Sequence, residues 1–304
     1  MLFNVCALYI KIMNNENQTI HKSDDNLTIY GWNEKLNQLK QESIYSTLAH
    51  GRVSIVHRTC YEVISGNGLF QCELTGNMMY GKSDDELPCT GDWVIFQPFD
   101  EHKGIIVDRL PRERTLYRKK SGTVADKQAI ASYVDKAFIV QSLDDNFNVR
   151  RVERFMVQIM EENISSVLVL NKADLDFDRQ SVEEQIKHIS SQIPVFFTSI
   201  HQLETIVRLR KSISEGETVV FVGSSGVGKS SLVNALCEKP VLLTSDISLS
   251  TGKGRHTSTR REMVLMDSSG VLIDTPGVRE FGLAIDNPDS LAEVLEISDY
   301  ACLL

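Results

Sequence analysis

Residues 223–230 constrain this chain more than any other stretch, because they read GSSGVGKS and fit the phosphate-binding pattern G-x-x-x-x-G-K-[ST] without a mismatch. The apolar run 219–222 before them predicts a strand, and the apolar residues after them predict a helix. Glycines let backbone N–H groups curl around phosphate oxygens, and a helix N-terminus adds partial positive charge. A Gly/Ser-rich turn is the competing interpretation, and the match of both motif and context disfavours it.

The chemistry of such a loop assigns a role to most of its residues. Lys229 is expected to neutralise the β- and γ-phosphates, the Ser230 hydroxyl to ligate Mg²⁺, and Ser231 to contact the α-phosphate. The predicted phosphate-binding set is Gly223, Ser224, Ser225, Gly226, Val227, Gly228, Lys229, Ser230 and Ser231.

A second motif, NKAD at residues 171–174, ends an apolar run well before the phosphate loop. The Asp174 carboxylate can accept hydrogen bonds from N1–H and the 2-amino group of guanine, which adenine lacks. Asn171 can contact the base edge, the Lys172 stem can cover the ring, and Ala173 lies between them. Ser199, one predicted helix later, can support Asp174 and the base. The motif therefore predicts guanine recognition, and coincidence in a P-loop ATPase or small-molecule kinase is the alternative.

The residues after the phosphate loop supply candidates for the metal and for the attacking water. Asp274 ends an apolar run and begins D-T-P-G, so it can hold Mg²⁺, while the Gly277 N–H can bond the γ-phosphate. By itself D-T-P-G is a plain turn signal. A hydroxyl among Thr257, Ser258 and Thr259 is expected to complete the Mg²⁺ shell, and Ser258 is the candidate adopted. Arg279 occupies the position where many GTPases place a glutamine, so His256 in the preceding loop is the catalytic candidate, with a plain surface histidine as the alternative.

The sequence pattern changes near residue 134. Before it, short β-rich runs broken by Gly, Pro, Asn and Asp suggest a small all-β barrel, with an OB-fold as one candidate and another β-sandwich as the alternative. After it, strands and helices alternate, which predicts a parallel sheet covered on both faces.

A basic run joins the two regions within an acidic chain of formal net charge −9. Residues 109–120 hold six basic side chains against one acid, and both a solvated linker and a contact to RNA phosphates account for such a run. The candidate RNA-binding residues are Arg112, Arg114, Arg118, Lys119 and Lys120. No apolar stretch reaches 18 residues, and no cysteine pair has metal-ligand spacing, so we expect a cytoplasmic protein with no membrane partner.

Five segments together resemble the circularly permuted GTPases of the RsgA/YjeQ family: VDKAFIVQSLDDNFNVRRVERF, VLNKADL, VGSSGVGKSSLVNAL, TGKGRHTSTRRE and IDTPGVREFGL. The resemblance implies an N-terminal all-β OB-fold barrel followed by an α/β P-loop GTPase domain whose motifs run in the order G4-G5-G1-G2-G3. It also implies Mg²⁺-dependent GTP hydrolysis stimulated by the 30S ribosomal subunit, contact with 16S rRNA, and a late maturation role. His256 matches the catalytic histidine of the family.

The resemblance divides the chain into four parts. We expect a partly flexible N-terminal extension at 1–49, an OB-fold RNA-binding domain at 50–120, a GTPase domain at 121–283, and a C-terminal helix at 284–304. Family members usually continue into a zinc-binding domain with three cysteines and a histidine, whose ligands this sequence lacks. At the other end of the chain, the true start is either Met1 or Met13. We expect the protein to be a monomer. The remaining alternative to a GTPase enzyme is a nucleotide-dependent binding module with negligible turnover.

Overall fold

A computed structural model of the protein describes residues 25–80, 82–83, 85–119, 127–238, 262–267 and 270–274. Within these ranges the chain forms a closed β-barrel followed by a mostly parallel sheet with helices on both faces. No helix in these ranges combines the length and the apolar character that a membrane crossing needs.

Five strands close the barrel through the neighbour order β1-β2-β3-β5-β4-β1, in which only β3 and β5 run parallel. Their alternating side chains fill a small core that includes Val53, Val63, Phe70 and Phe96. The OB-like barrel predicted from the sequence is thereby confirmed. The strands are β1 (Ala49–Val56), β2 (Tyr61–Ser65), β3 (Gly68–Leu74), β4 (Trp93–Asp100) and β5 (Lys103–Arg109), and the short helix α2 (Gly76–Met79) follows β3.

The described part of the expected N-terminal extension packs against the barrel. A 3-10 helix (Asp25–Tyr30) leads into helix α1 (Glu34–Glu42), whose N-cap Asn33 accepts a hydrogen bond from Leu36 N at 3.1 Å. Leu27, Trp32 and Leu36 of this segment are buried with Trp93 of the barrel. An apolar cluster of this kind explains why the segment is ordered despite its polar composition.

After the barrel, the hairpin of β6 (Leu116–Lys119) and β7 (Lys127–Ala131) leads into the second sheet. The order across that sheet is β10-β9-β8-β11-β13-β12, with parallel pairing everywhere except between β12 and β13. Its strands are β8 (Lys136–Ser142), β9 (Ser165–Asn171), β10 (Val195–Thr198), β11 (Thr218–Val222), β12 (Glu262–Leu265) and β13 (Val271–Asp274). Among the described residues, the pair Ile55 with Glu262 joins β12 to β1 of the barrel.

Helices cover both faces of this sheet, as the alternating pattern predicts. They are α3 (Val149–Glu161), α4 (Arg179–Gln185), α5 (Lys187–Ser190), α6 (Leu203–Arg210) and α7 (Lys229–Leu236). Helices α3 to α5 bury Phe155, Met156 and Ile189 on one face, whereas α6 and α7 bury Leu209 and Leu232 on the other. Because the four central strands of the sheet run parallel, their carboxyl ends meet at one edge. Sheets of this α/β type bind ligands at that edge.

Candidate nucleotide-binding site

The phosphate loop lies at the carboxyl end of β11, the fully buried strand near the middle of the sheet. Gly223, Gly226 and Gly228 have φ values of 148°, 83° and 96°, a region that side chains disfavour. A Cβ on Gly223 would lie 2.3 Å from the Val140 carbonyl oxygen. The backbone can therefore wind tightly at the start of α7 only because glycines occupy these positions.

Lys229, the first residue of α7, closes this loop. Its Nζ donates hydrogen bonds of 2.8 Å to the carbonyl oxygens of Gly223 and Ser224. Burial lowers the pKa of Lys229, and the charge of Asp274 opposes that effect. A lysine held over a loop of backbone amides has the geometry expected for binding a triphosphate.

The base-reading motif meets the phosphate loop directly. Asn171 ends β9, and its Nδ2 donates a 2.8 Å hydrogen bond to the Val227 carbonyl oxygen. Its Oδ1 accepts one from Thr198 Oγ1 at 3.3 Å. A Cβ on Gly228 would lie 2.3 Å from Asn171 Nδ2. Two segments that are far apart in sequence thus adjoin at the edge of the sheet, and the space that both border is the candidate cleft.

Asp174 lies on the open side of this cleft, where its carboxylate is exposed. A hydrogen bond from the Ser199 side chain lowers the pKa of Asp174, so the group is ionised at neutral pH. Ser199 itself is buried, and its N–H donates to Thr205 Oγ1 at 3.0 Å. The carboxylate is therefore oriented and ready to accept hydrogen bonds from a base.

Two contacts of the base-reading motif were missed by the sequence analysis. Lys172 Nζ donates a 2.8 Å hydrogen bond to Asp144 Oδ2, and Thr198 supports Asn171 as described. A signal for Asp144 existed, because it follows the end of a strand that neighbours the NKAD strand. Predicting the contact between Asp144 and Lys172 required the strand order, which the sequence pattern did not supply.

The metal side of the cleft is described in part. Asp274 ends β13, next to β11, and is 2% exposed, while Ser230 is the second residue of α7. A carboxylate and a hydroxyl beside a phosphate loop are oxygen donors of the kind that Mg²⁺ prefers, so the residues fit this ion. His256, Ser258, Gly277 and Lys120 lie outside the described residues. Within the described ranges no three His, Cys, Asp or Glu side chains cluster as a metal site would require.

The basic run is not uniformly available to a partner. The Arg112 side chain is 8% exposed and donates to both carboxylate oxygens of Asp92, at 2.9 Å and 2.7 Å. Arg114 pairs with Asp135 at 2.9 Å, and Arg118 Nε donates to Gln128 Oε1 at 2.9 Å. The backbone of Lys119 ends β6. RNA binding by these residues stays a prediction, and the geometry gives Arg112 a structural role in the barrel.

Comparison with known proteins adds to this geometry. Residues 109–284 match the family model described as RsgA GTPase. The chain is 73% identical over 289 residues to the small ribosomal subunit biogenesis GTPase RsgA 1 of Bacteroides thetaiotaomicron, covering 95% of this chain and 79% of that protein. It is 36% identical over 300 residues to the protein named small ribosomal subunit biogenesis GTPase RsgA in Methanosarcina acetivorans, with the same two coverages of 95% and 79%.

Two solved structures share the fold. The crystal structure of YjeQ from Thermotoga maritima aligns with a TM-score of 0.62 and 24% identity, covering 82% of this chain and 81% of that one. YloQ, described as a circularly permuted GTPase, aligns with a TM-score of 0.58 and 19% identity over 84% of this chain and 80% of that one. The fold class expected from the sequence, a barrel followed by a permuted GTPase sheet, is confirmed.

Proposed function

The chain belongs to the RsgA GTPase family, and we propose that it binds GTP with Mg²⁺ in the cleft described above, hydrolyses it to GDP and phosphate, and serves late maturation of the small ribosomal subunit. The observation that carries the proposal is the hydrogen bond from Asn171 Nδ2 to the Val227 carbonyl oxygen. Because this bond holds the base-reading segment against the phosphate loop, one nucleotide can contact both.

Each side of the cleft has a distinct task in this proposal. Asp174, supported by Ser199, accepts the guanine donors, while Asn171, Lys172 and Ala173 hold the base edge and face. Phosphates lie on the loop of residues 223–231, where Lys229 offsets their charge. Gly277, which lies outside the described residues, donates its N–H to the γ-phosphate.

The metal and water roles are assigned to residues around the γ-phosphate. Ser230, Asp274 and Ser258 would hold Mg²⁺, which supplies charge neutralisation to the β- and γ-phosphates when bound. His256 would orient the attacking water, because an imidazole can accept or donate a proton near neutral pH. No step is assigned to zinc.

The ribosomal partner is inferred from the name of the two relatives, which specifies biogenesis of the small ribosomal subunit. We place contact with 16S rRNA on Arg114, Arg118, Lys119 and Lys120, with Arg112 supporting this surface through its ion pair with Asp92. The protein would act as a cytoplasmic monomer. The proposed division is an N-terminal segment at 1–49, the barrel at 50–120, the GTPase domain at 121–283 and a C-terminal segment at 284–304.

Nucleotide competition tests the base-reading claim. GTP should displace a fluorescent guanine nucleotide, and ATP should fail to do so. Asp174→Asn should weaken GTP binding by about a hundredfold or more, because the neutral amide can accept only one of the two guanine hydrogen bonds and its NH2 group opposes the other donor. The same variant should gain affinity for xanthosine triphosphate, whose 2-oxo group can accept from the amide. Equal affinity of the wild-type protein for GTP and ATP would contradict the proposal.

Turnover is tested separately. Phosphate release is measured with and without small ribosomal subunits, for the wild-type protein and for His256→Ala. We expect stimulation by the subunit and a loss of turnover in the variant with GTP affinity retained. Unchanged turnover in His256→Ala would remove this residue from the mechanism, and absence of turnover in the wild type would favour a nucleotide-dependent binding module.

A further inference from the structure

We infer that Asp144 is a positioning residue for guanine-nucleotide binding, which it serves by anchoring the ammonium group of Lys172; the inference rests on the proposed function. Lys172 Nζ and Asp144 Oδ2 are 2.8 Å apart, and both side chains are partly exposed at the mouth of the cleft. Asp144 follows β8, the strand between the phosphate-loop strand and the NKAD strand.

The Asp144 carboxylate is itself held in place from the side opposite Lys172. Its Oδ1 accepts hydrogen bonds from Ser142 Oγ at 2.7 Å and from Asn146 N at 3.0 Å. Partial burial alone would raise the pKa of Asp144, but hydrogen bonds from Lys172 and Ser142 keep it below its ordinary value. The anchor is therefore a negative charge with a defined direction, and Oδ2 is the oxygen turned toward the lysine.

The backbone around Lys172 is fixed just as firmly. Its φ of 60° lies in the left-handed region, where a lysine persists only if surrounding bonds impose it. Ala173 N donates to the Thr198 carbonyl oxygen at 3.0 Å, and Leu143 N donates to the Asn171 carbonyl oxygen at 2.9 Å. With its backbone and its ammonium group both held, the aliphatic stem between them has little freedom.

This arrangement has a specific use at a base-binding site. The stem of a lysine can lie along an apolar surface while its charged end stays in a polar environment. A purine has two apolar faces, and a stem that is already ordered covers one of them without losing side-chain entropy on binding. Asp144 therefore pre-organises the base side of the cleft and leaves the phosphate side to Lys229.

The substitution Asp144→Asn isolates this role. The amide oxygen can still accept from Ser142 and Asn146, whereas the amide nitrogen that replaces Oδ2 cannot accept from Lys172. Asp145→Asn is the matched control, since Asp145 is the exposed next residue and its carboxylate has no hydrogen bond or ion pair within the described ranges. Both variants remove one negative charge from the same turn, so general electrostatic effects cancel.

Binding of GTP, inosine triphosphate and inorganic tripolyphosphate is measured by calorimetry for the wild type and the two variants. We expect Asp144→Asn to bind GTP and inosine triphosphate about threefold to tenfold more weakly, as for loss of a partly exposed ion pair and the order it imposes. Tripolyphosphate should bind all three proteins equally, because it lacks a base. Asp144→Glu, which restores a carboxylate, should recover part of the affinity.

The outcomes separate this inference from the proposed function. If the wild type fails to bind GTP, the proposed function fails. If the wild type binds GTP and Asp144→Asn binds it equally well, or loses tripolyphosphate to the same extent as GTP, then Asp144 does not act through the base side. Thermal melting of the free variants must match the wild type; if Asp144→Asn melts lower and loses all three ligands together, its role is structural and the inference is overturned.

Discussion

Gly228 shows at the scale of one residue why the phosphate loop must keep its sequence. A Cβ at this position would lie 2.3 Å from Asn171 Nδ2, and the backbone φ of 96° is strained for any other residue. We expect Gly228→Ala to push Asn171 off the Val227 carbonyl oxygen and to weaken GTP binding at least about tenfold. Titration with a fluorescent guanine nucleotide measures the change.

Gly226→Ala is the control for this substitution. Its φ of 83° imposes similar backbone strain, yet a Cβ there would meet nothing within 4 Å. The difference between the two variants therefore reports the contact with Asn171. If both lose the same affinity, backbone strain accounts for the effect and the link between the two loops contributes little.

At the scale of elements, the basic run 109–120 separates into buried and accessible members. Arg112 is a bidentate partner of Asp92, a carboxylate that is fully buried and also accepts from Ser132 Oγ at 2.6 Å. Removing one partner of such a pair leaves a buried charge without compensation. We expect Arg112→Gln to lower the free energy of unfolding by about 3–5 kcal/mol, measured by urea denaturation.

Arg118→Gln is the matched variant on β6. We expect its unfolding free energy to stay within about 0.5 kcal/mol of the wild type, and its affinity for 16S rRNA fragments to fall with a shallower salt dependence. A destabilised Arg118 variant, or an Arg112 variant that is stable but deficient in RNA binding, would reverse this assignment.

The local sequence pattern predicted much of the secondary structure but little of how the helices and strands pair. Asn148 precedes the apolar helical pattern of α3 and caps the helix, accepting from Arg151 N at 3.0 Å. Phe155 and Met156 of that pattern are buried, whereas Met160 near its end is 42% exposed. Capping and periodicity depend on neighbours in sequence. The burial of Arg112 and the contact of Asp144 with Lys172 depend on residues 20 and 28 positions away, which only the assembled fold brings together.

At the scale of the whole molecule, Arg52 joins the barrel to the GTPase sheet. Arg52 is 1% exposed, and its guanidinium donates to the carbonyl oxygen of Gly91 at 3.0 Å, to that of Tyr133 at 3.3 Å and to Thr218 Oγ1 at 2.9 Å. Thr218 begins β11, whose other end carries the phosphate loop. Burial lowers the pKa of Arg52 to about 10, so it remains charged at neutral pH.

The two tryptophans of the chain make this junction observable. Trp32 and Trp93 stack edge to face with centroids 4.9 Å apart, and the Arg52 guanidinium carbon lies 5.5 Å from the centroid of Trp93. Tryptophan fluorescence during urea denaturation therefore reports the junction. Because a ligand stabilises whatever unfolds together with its site, saturating GTP should raise the wild-type midpoint seen by these tryptophans.

We expect Arg52→Met to break this connection. The carbonyl oxygens of Gly91 and Tyr133 and the hydroxyl of Thr218 would lose a buried donor, which costs about 2–5 kcal/mol of unfolding free energy. The tryptophan midpoint should then fall and should no longer respond to GTP, while GTP affinity in the folded protein is retained. Arg58→Met, on the exposed turn after the same strand, should behave as the wild type. If GTP still shifts the tryptophan midpoint of Arg52→Met by the wild-type amount, the barrel and the GTPase sheet are coupled through other contacts, and Arg52 is a local stabiliser only.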